Sequence, residues 1–328
     1  MTIFQNMINS AQKAMIYVMN LKKKDKVLVI SDDTTKEVGE AFYSAAIDFG
    51  CTSQIYFLSE KNRPILNIPP ELNELLSKYS VVINAFRGIG EETPFRAKWV
   101  KKITDTNSIR LGHAPSITKS MLLHGPMNIN YKKMIKSADK MIKNFNNAKS
   151  VHIKAPGGTD ITLNIEDRAF STDVQITKEP LFANLPCGEI WCGPVETKAN
   201  GTIVCDGSIG DIGKVKKPLK ITVKNGKITN LECEDISLLK RVEKLINVDE
   251  EARIIGEFGI GVNPGANLSG VLLEDEKALN TAHIAFGNNE QMSGGLNKSL
   301  THRDFLFYNP SINVTYKDGT SKILNKNS

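Results

Sequence analysis

Glu189, Glu257, His283, His302 and Asp304 are the side chains of this chain best placed for chemistry, each standing in an apolar segment of its second half. The run LTHRDFLFY, from Leu300 to Tyr308, has the composition of a strand. Residues two apart on a strand face the same side, so His302 and Asp304 point together while Arg303 points away. An imidazole beside a carboxylate binds a divalent cation readily. His-x-Asp alone is common, but its neighbours share the pattern. His283 opens an apolar run, HIAFG, in which an ionisable group needs a partner or a metal. Glu257 lies in IGEFGIG, glycine-rich and otherwise uncharged, where a lone glutamate is costly unless paired or ligated. Glu189 repeats that arrangement within LPCGEIW. One shared metal site accounts for these segments better than four separate packing accidents.

Other residues carry weaker signals. Arg87-Gly88-Ile89-Gly90 follows an expected strand, but it lacks the third glycine and the later acidic residue of a dinucleotide loop. A loop with positive φ is the better reading. Asp32 and Asp33 precede a helix and fit N-capping. His113, His124 and His152 are isolated and read as packed or surface histidines. Cys187, Cys192 and Cys205 flank Glu189 without a Cys-x-x-Cys knuckle, so they read as small core residues.

The elements that must position these groups fall into two textures. Up to about residue 150, apolar runs at Lys26–Ser31, Gln54–Leu58, Val81–Phe86 and Ser108–Leu111 alternate with helical patterns near Thr35–Phe49, Pro70–Lys78 and Phe95–Asp105. An amphipathic helix precedes them within Met1–Leu21, and another follows near Tyr131–Asn146. This alternation predicts an α/β domain, residues 1–150, with an open, mostly parallel sheet. From 151 to 328 the runs are short and β-rich: Val151–Lys154, Ile161–Ile165, Gly201–Cys205, Leu219–Val223 and Ile312–Tyr316. Asn225-Gly226 predicts a hairpin, and one helix interrupts near Ser237–Leu245. The second domain is therefore expected to be a β-rich α+β domain that binds the metal.

Bulk properties exclude several classes. The 328 residues carry a formal net charge of +6, spread over scattered lysines with no basic stretch interleaved with aromatics, which argues against nucleic acid. No apolar run approaches the roughly 20 residues of a membrane span. Residues 1–21 lack the layout of an export signal, and five cysteines suit a reducing compartment, so a cytoplasmic protein is expected.

Taken in order, the segments are more specific than any one motif. NLPCGEIWCGPVETKANGTI (Asn184–Ile203), IGEFGIGVNPGA (Ile255–Ala266), EDEKALNTAHIAFGNN (Glu274–Asn289) and LTHRDF (Leu300–Phe305) resemble successive metal-ligand regions of the M29 metallopeptidases, the aminopeptidase T and aminopeptidase S family. APGGTDITL (Ala155–Leu163) resembles the start of that family's C-terminal domain. The resemblance implies that Glu189, Glu257, His283, His302 and Asp304 are ligands of a two-metal site holding divalent ions such as Zn, Co, Mn or Mg. It implies catalytic roles for Glu189 and Glu257, as a bridge between ions or a general base, and a small peptide substrate cleaved from its N-terminus. It also implies a homodimer. The family's tyrosine after the central histidine is missing from GNNEQMSGG (Gly287–Gly295). Glu290 stands in that neighbourhood, as a substitute ligand or as a plain loop residue. The related 2,5-dihydroxypyridine 5,6-dioxygenase group offers the alternative. There His283, His302 and Asp304 would hold a single Fe(II) and leave positions open for oxygen and a small-molecule substrate.

Overall fold

The computed structural model describes residues 2–324. It divides into two compact units, one formed by the chain up to Ile135 together with Asp173–Cys187, the other by Lys136–Thr172 together with the chain from Gly188 onward. The division thus lies near residue 135 rather than at 150, and the chain crosses between the units more than once. The physical reason for the return is a strand pairing that sequence periodicity does not register.

In the first unit, α1 (Ile3–Tyr17), α2 (Lys36–Phe49), α3 (Pro70–Leu76), α4 (Thr93–Thr104) and α5 (Lys119–Leu123) accompany strands β1 (Lys26–Ser31), β2 (Thr52–Phe57), β3 (Val81–Ala85) and β4 (Arg110–His113). The returning segment supplies β8 (Phe182–Asn184), which pairs in parallel with β4. The sheet runs β2-β1-β3-β4-β8, every pairing parallel. Apart from the exposed Lys26 that opens β1, the central strands β1 and β3 are buried and mostly apolar, as strands covered on both faces must be.

Ligands of open α/β sheets lie at the carboxyl ends of strands where the order reverses, here between β1 and β3. This chain's own charges meet there. Asp32 accepts from the Arg63 guanidinium at 2.7 Å and from the Arg87 backbone N–H at 2.9 Å, and Arg63 also pairs with Glu92. Asp32 is therefore more than a helix cap. The N-cap of α2 is Thr35, while Asp32 stitches β1 to the loop after β3. That loop also corrects an expectation, because neither Gly88 nor Gly90 has positive φ. A β-carbon at Gly88 would instead come within 3.0 Å of the Ser116 hydroxyl, so close approach is what a side chain would disturb there.

Helix α6 (Tyr131–Lys143) carries the chain into the second unit. One seven-stranded sheet contains β5 (Ala148–Lys154), β6 (Asp160–Asn164), β10 (Ala199–Cys205), β13 (Leu219–Lys224), β14 (Lys227–Glu232), β18 (Ser311–Tyr316) and β19 (Ser321–Leu324), ordered β14-β13-β10-β6-β5-β18-β19. The β13–β14 hairpin turns on Asn225 and Gly226, both with φ positive, as the Asn-Gly pair predicts. A second seven-stranded sheet is built from β7 (Ser171–Thr172), β9 (Glu189–Cys192), β11 (Ser208–Ile209), β12 (Gly213–Lys214), β15 (Ile255–Gly261), β16 (Thr281–Gly287) and β17 (His302–Tyr308). Its order is β12-β11-β17-β16-β15-β9-β7, with antiparallel neighbours. Helices α7 (Ile236–Leu245) and α8 (Leu272–Asp275) complete the unit.

Candidate metal centre

The site follows from the register of the second of these sheets. On β17, His302 and Asp304 share a face. Across β16, Asp304 stands opposite Ala285, and His302 opposite Gly287. Ala285 in turn faces Glu257 on β15, and His283 faces Gly259. On the next strand, Glu189 stands opposite Gly261. All five candidate residues therefore lie on one face, drawn from four strands. The other face carries Ile190, Phe258, Ile260, Ile284, Phe286, Phe305 and Phe307, all buried, with Phe286 and Phe305 edge to face at 5.9 Å. That apolar face anchors the strands, so positions on the polar face are held by packing behind them.

Small residues alternate with the large polar ones. A β-carbon on Gly259 would fall 2.0 Å from His283 Nε2, and one on Gly261 would fall 2.1 Å from the Ala278 carbonyl oxygen. The glycines of IGEFGIG thus keep room for an imidazole and for a crossing chain segment.

Glu257 is central. Its Oε1 lies 3.3 Å from His283 Nε2 and its Oε2 lies 3.0 Å from His302 Nε2. Glu189 Oε2 is 3.6 Å from the same nitrogen of His283, and Asp304 Oδ1 is 3.6 Å from that of His302. Among the described residues the donor atoms form two groups within 4.8 Å, Glu189 with Glu257 and His283, and Glu257 with His302 and Asp304. Glu257 belongs to both.

Charge in this cluster is lopsided, and the pKa values respond. Burial opposes a charged ring at His283, yet Glu257, Glu189 and Asp304 push its pKa up to about 9. Burial opposes charge on His302 as well, but Asp304 and Glu257 raise it well above the usual imidazole range. Burial would raise the Glu257 carboxyl, but hydrogen bonds from both imidazoles hold it well below the carboxylate range. Asp304 is lowered too, by His302 and His283 against its own burial. Each ring nitrogen facing the carboxylates is thus a place where positive charge is favoured.

The residues fit a divalent cation on two structural grounds. The first is the tautomer of His302, whose Nδ1 lies 2.7 Å from the Asn288 carbonyl oxygen. A carbonyl only accepts, so Nδ1 carries a hydrogen, and Nε2 is the nitrogen turned toward the carboxylates of Glu257 and Asp304. Carboxylates gathered round that nitrogen favour a cation there in place of its proton, and backbone anchoring of the remote nitrogen is how ligand histidines are oriented. The second is the bare strand at Gly259, which admits the His283 ring.

Other expectations resolve individually. Glu290 is exposed and pairs with Lys298 at 3.3 Å, so it is outside both donor groups. Cys187, Cys192 and Cys205 are buried and outside any disulfide. His113 packs inside the first unit with Nδ1 3.2 Å from the Asn84 amide, and His152 pairs with Asp160 at the surface. Sequence reasoning missed Lys277 and Glu276. Lys277 is fully buried and donates to Glu189 and, at 2.7 Å, to Glu276. Its only signal was a lysine closing the acidic run EDEK before an apolar strand.

Several known proteins are similar to this chain. Aminopeptidase AmpS of Bacillus subtilis (strain 168) is 25% identical over 187 residues, an alignment covering 50% of this chain and 44% of that protein. The chain therefore matches less than half of that relative's length. Among solved structures, AmpT from Thermus thermophilus superposes with a TM-score of 0.74 at 16% identity, covering 99% of this chain and 98% of that one. A 2,5-dihydroxypyridine dioxygenase from Pseudomonas putida KT2440 superposes with a TM-score of 0.73, also at 16% identity, covering 99% and 97%. At that identity both matches show the fold alone. No helix among the described residues is long and apolar enough to cross a membrane. The family model described as thermophilic metalloprotease (M29) matches residues 115–327, and the chain belongs to that family.

Proposed function

We propose that this protein is a metal-dependent aminopeptidase whose centre holds two divalent ions, one in each donor group. The observation that carries this reading is the position of Glu257, one oxygen toward each histidine. A carboxylate shared in that way suits a pair of cations and offsets part of their charge. Ions held there would supply Lewis-acid polarisation of a peptide carbonyl and a nucleophile derived from water at neutral pH. The chain's own part is positional. His283 and Glu189 complete one donor set, His302 and Asp304 the other, while the apolar face behind the strands keeps them in place. The free amine of the substrate would be held by an ion or a carboxylate of the cluster. We further propose a cytoplasmic homodimer acting on small peptides.

A single-iron dioxygenase remains the second reading, favoured by the missing tyrosine and by Glu290 pointing elsewhere. Against it, His283, His302 and Asp304 form no three-donor group of their own among the described residues. The deciding experiment measures metal content by plasma mass spectrometry and assays peptides with free and acetylated N-termini. Near-stoichiometric pairs of ions and chelator-sensitive cleavage of the free peptides alone are expected. A single iron with oxygen uptake on 2,5-dihydroxypyridine would establish the other reading.

A further inference from the structure

We infer that Lys277 is a positioning residue of the metal centre, holding one carboxylate oxygen of Glu189 so that only the other serves as a donor. This rests on the metal-centre reading above. The Lys277 side chain is 0% exposed, and its Nζ donates to Glu189 Oε1 and to Glu276 Oε1. A buried ammonium is costly unless opposite charges surround it, and one carboxylate that Lys277 touches is a candidate ligand. Its backbone is equally constrained. The Lys277 carbonyl accepts from Asn263 N–H at 2.9 Å and its N–H donates to Glu274 at 3.0 Å. The next residue, Ala278, crosses close over Gly261, which stands opposite Glu189 in the sheet. Asp275, just before, accepts backbone N–H groups of Ser269 at 2.6 Å and Gly270 at 3.0 Å, which pins the turn that delivers the lysine.

Two consequences follow for a cation held by Glu189, Glu257 and His283. With Oε1 engaged, Glu189 binds through Oε2 alone, which lies 3.6 Å from His283 Nε2. Coordination positions then stay open for water and substrate. The ammonium also repels the cation and weakens its binding. Lys277 therefore trades affinity for an open centre, and removing its charge should tighten metal binding. A merely structural lysine would do the opposite, since its loss would disorder Glu189 and loosen the ion.

The test is calorimetric titration of Co(II) into the chelator-stripped full chain, with visible absorption reporting cobalt coordination. Lys277→Gln keeps a polar partner for Glu189 and Glu276 and removes the charge. It should bind one Co(II) at least tenfold more tightly, with weaker absorption from a higher coordination number. Glu276→Gln removes a carboxylate that competes for the ammonium, strengthens its hold on Glu189 and should weaken Co(II) binding at least threefold. Unchanged or weaker binding by folded Lys277→Gln overturns the inference. Should that variant not fold, unchanged or tighter binding by Glu276→Gln overturns it instead. Wild-type protein that takes up no Co(II) would refute the metal-centre reading itself, a separate result.

Discussion

Gly259 stands opposite His283 in paired strands, and the imidazole occupies the space a side chain on Gly259 would need, with Nε2 2.0 Å from the position of a β-carbon. The strand carrying Glu257 is thus bare where the ring of its neighbour crosses. That relationship makes a glycine part of the candidate centre, although it offers no donor atom.

Gly259→Ala should therefore displace His283. Overpacking of this kind costs about 1–3 kcal/mol. We expect that loss in chemical denaturation, together with at least a tenfold fall in affinity for divalent ions by titration. Wild-type metal binding in this variant would show that the ring is free to move aside.

Glu257 and Glu189 should differ in what their loss removes. Glu257→Gln touches both donor groups, so metal content should fall from about two ions per chain toward none. Glu189→Gln and His302→Ala each touch one group and should leave about one ion. Elemental analysis after extensive dialysis checks this, and equal losses from all three variants would contradict a shared carboxylate.

The metal-free protein should lose stability as pH rises. His283 has a folded pKa of about 9, above the 6.5 of a free imidazole. Its contribution is fully present below 6.5 and disappears between 6.5 and 9, amounting to on the order of 3 kcal/mol. Metal binding must displace that proton, so affinity should rise over the same window, with proton release visible as a buffer-dependent enthalpy. Melting curves of chelated protein that stay flat from pH 6.5 to 9 would refute the coupling.

In the first unit, Asp32→Asn removes the charge that the Arg63 guanidinium and the Arg87 N–H surround. Asp32 is 0% exposed, and breaking a buried pair by removing one partner costs about 3–5 kcal/mol. Urea denaturation should report a loss in that range, while an effect under about 1 kcal/mol would match an exposed pair instead.

Much of the local structure was legible. Alternating apolar runs and helical periods marked β1 to β4 and the helices between them, and Asn225-Gly226 marked the β13–β14 turn. What failed was non-local. The return of Phe182–Asn184 to the parallel sheet depends on a partner strand some 70 residues earlier, beyond the reach of any periodicity. Asp32 looked like a cap because its neighbours begin a helix, yet its charge is used by Arg63 and the Arg87 N–H, far along the chain. Glu290 occupied a plausible place in the sequence and turned outward to Lys298, because a loop residue's direction is not set by strand alternation.

Sequence alone determined the components of the candidate centre: that His302 and Asp304 share a face, and that Glu189, Glu257 and His283 lie in apolar runs where a charge needs compensation. Those statements need only the two-residue period of a strand and the cost of burying charge. Tertiary structure decided the rest. Strand register, set by packing of the opposite apolar face, placed Glu257 between two imidazoles and put glycines where those groups need room. It also brought Lys277 onto Glu189, a contact between residues 88 positions apart that no local pattern encodes.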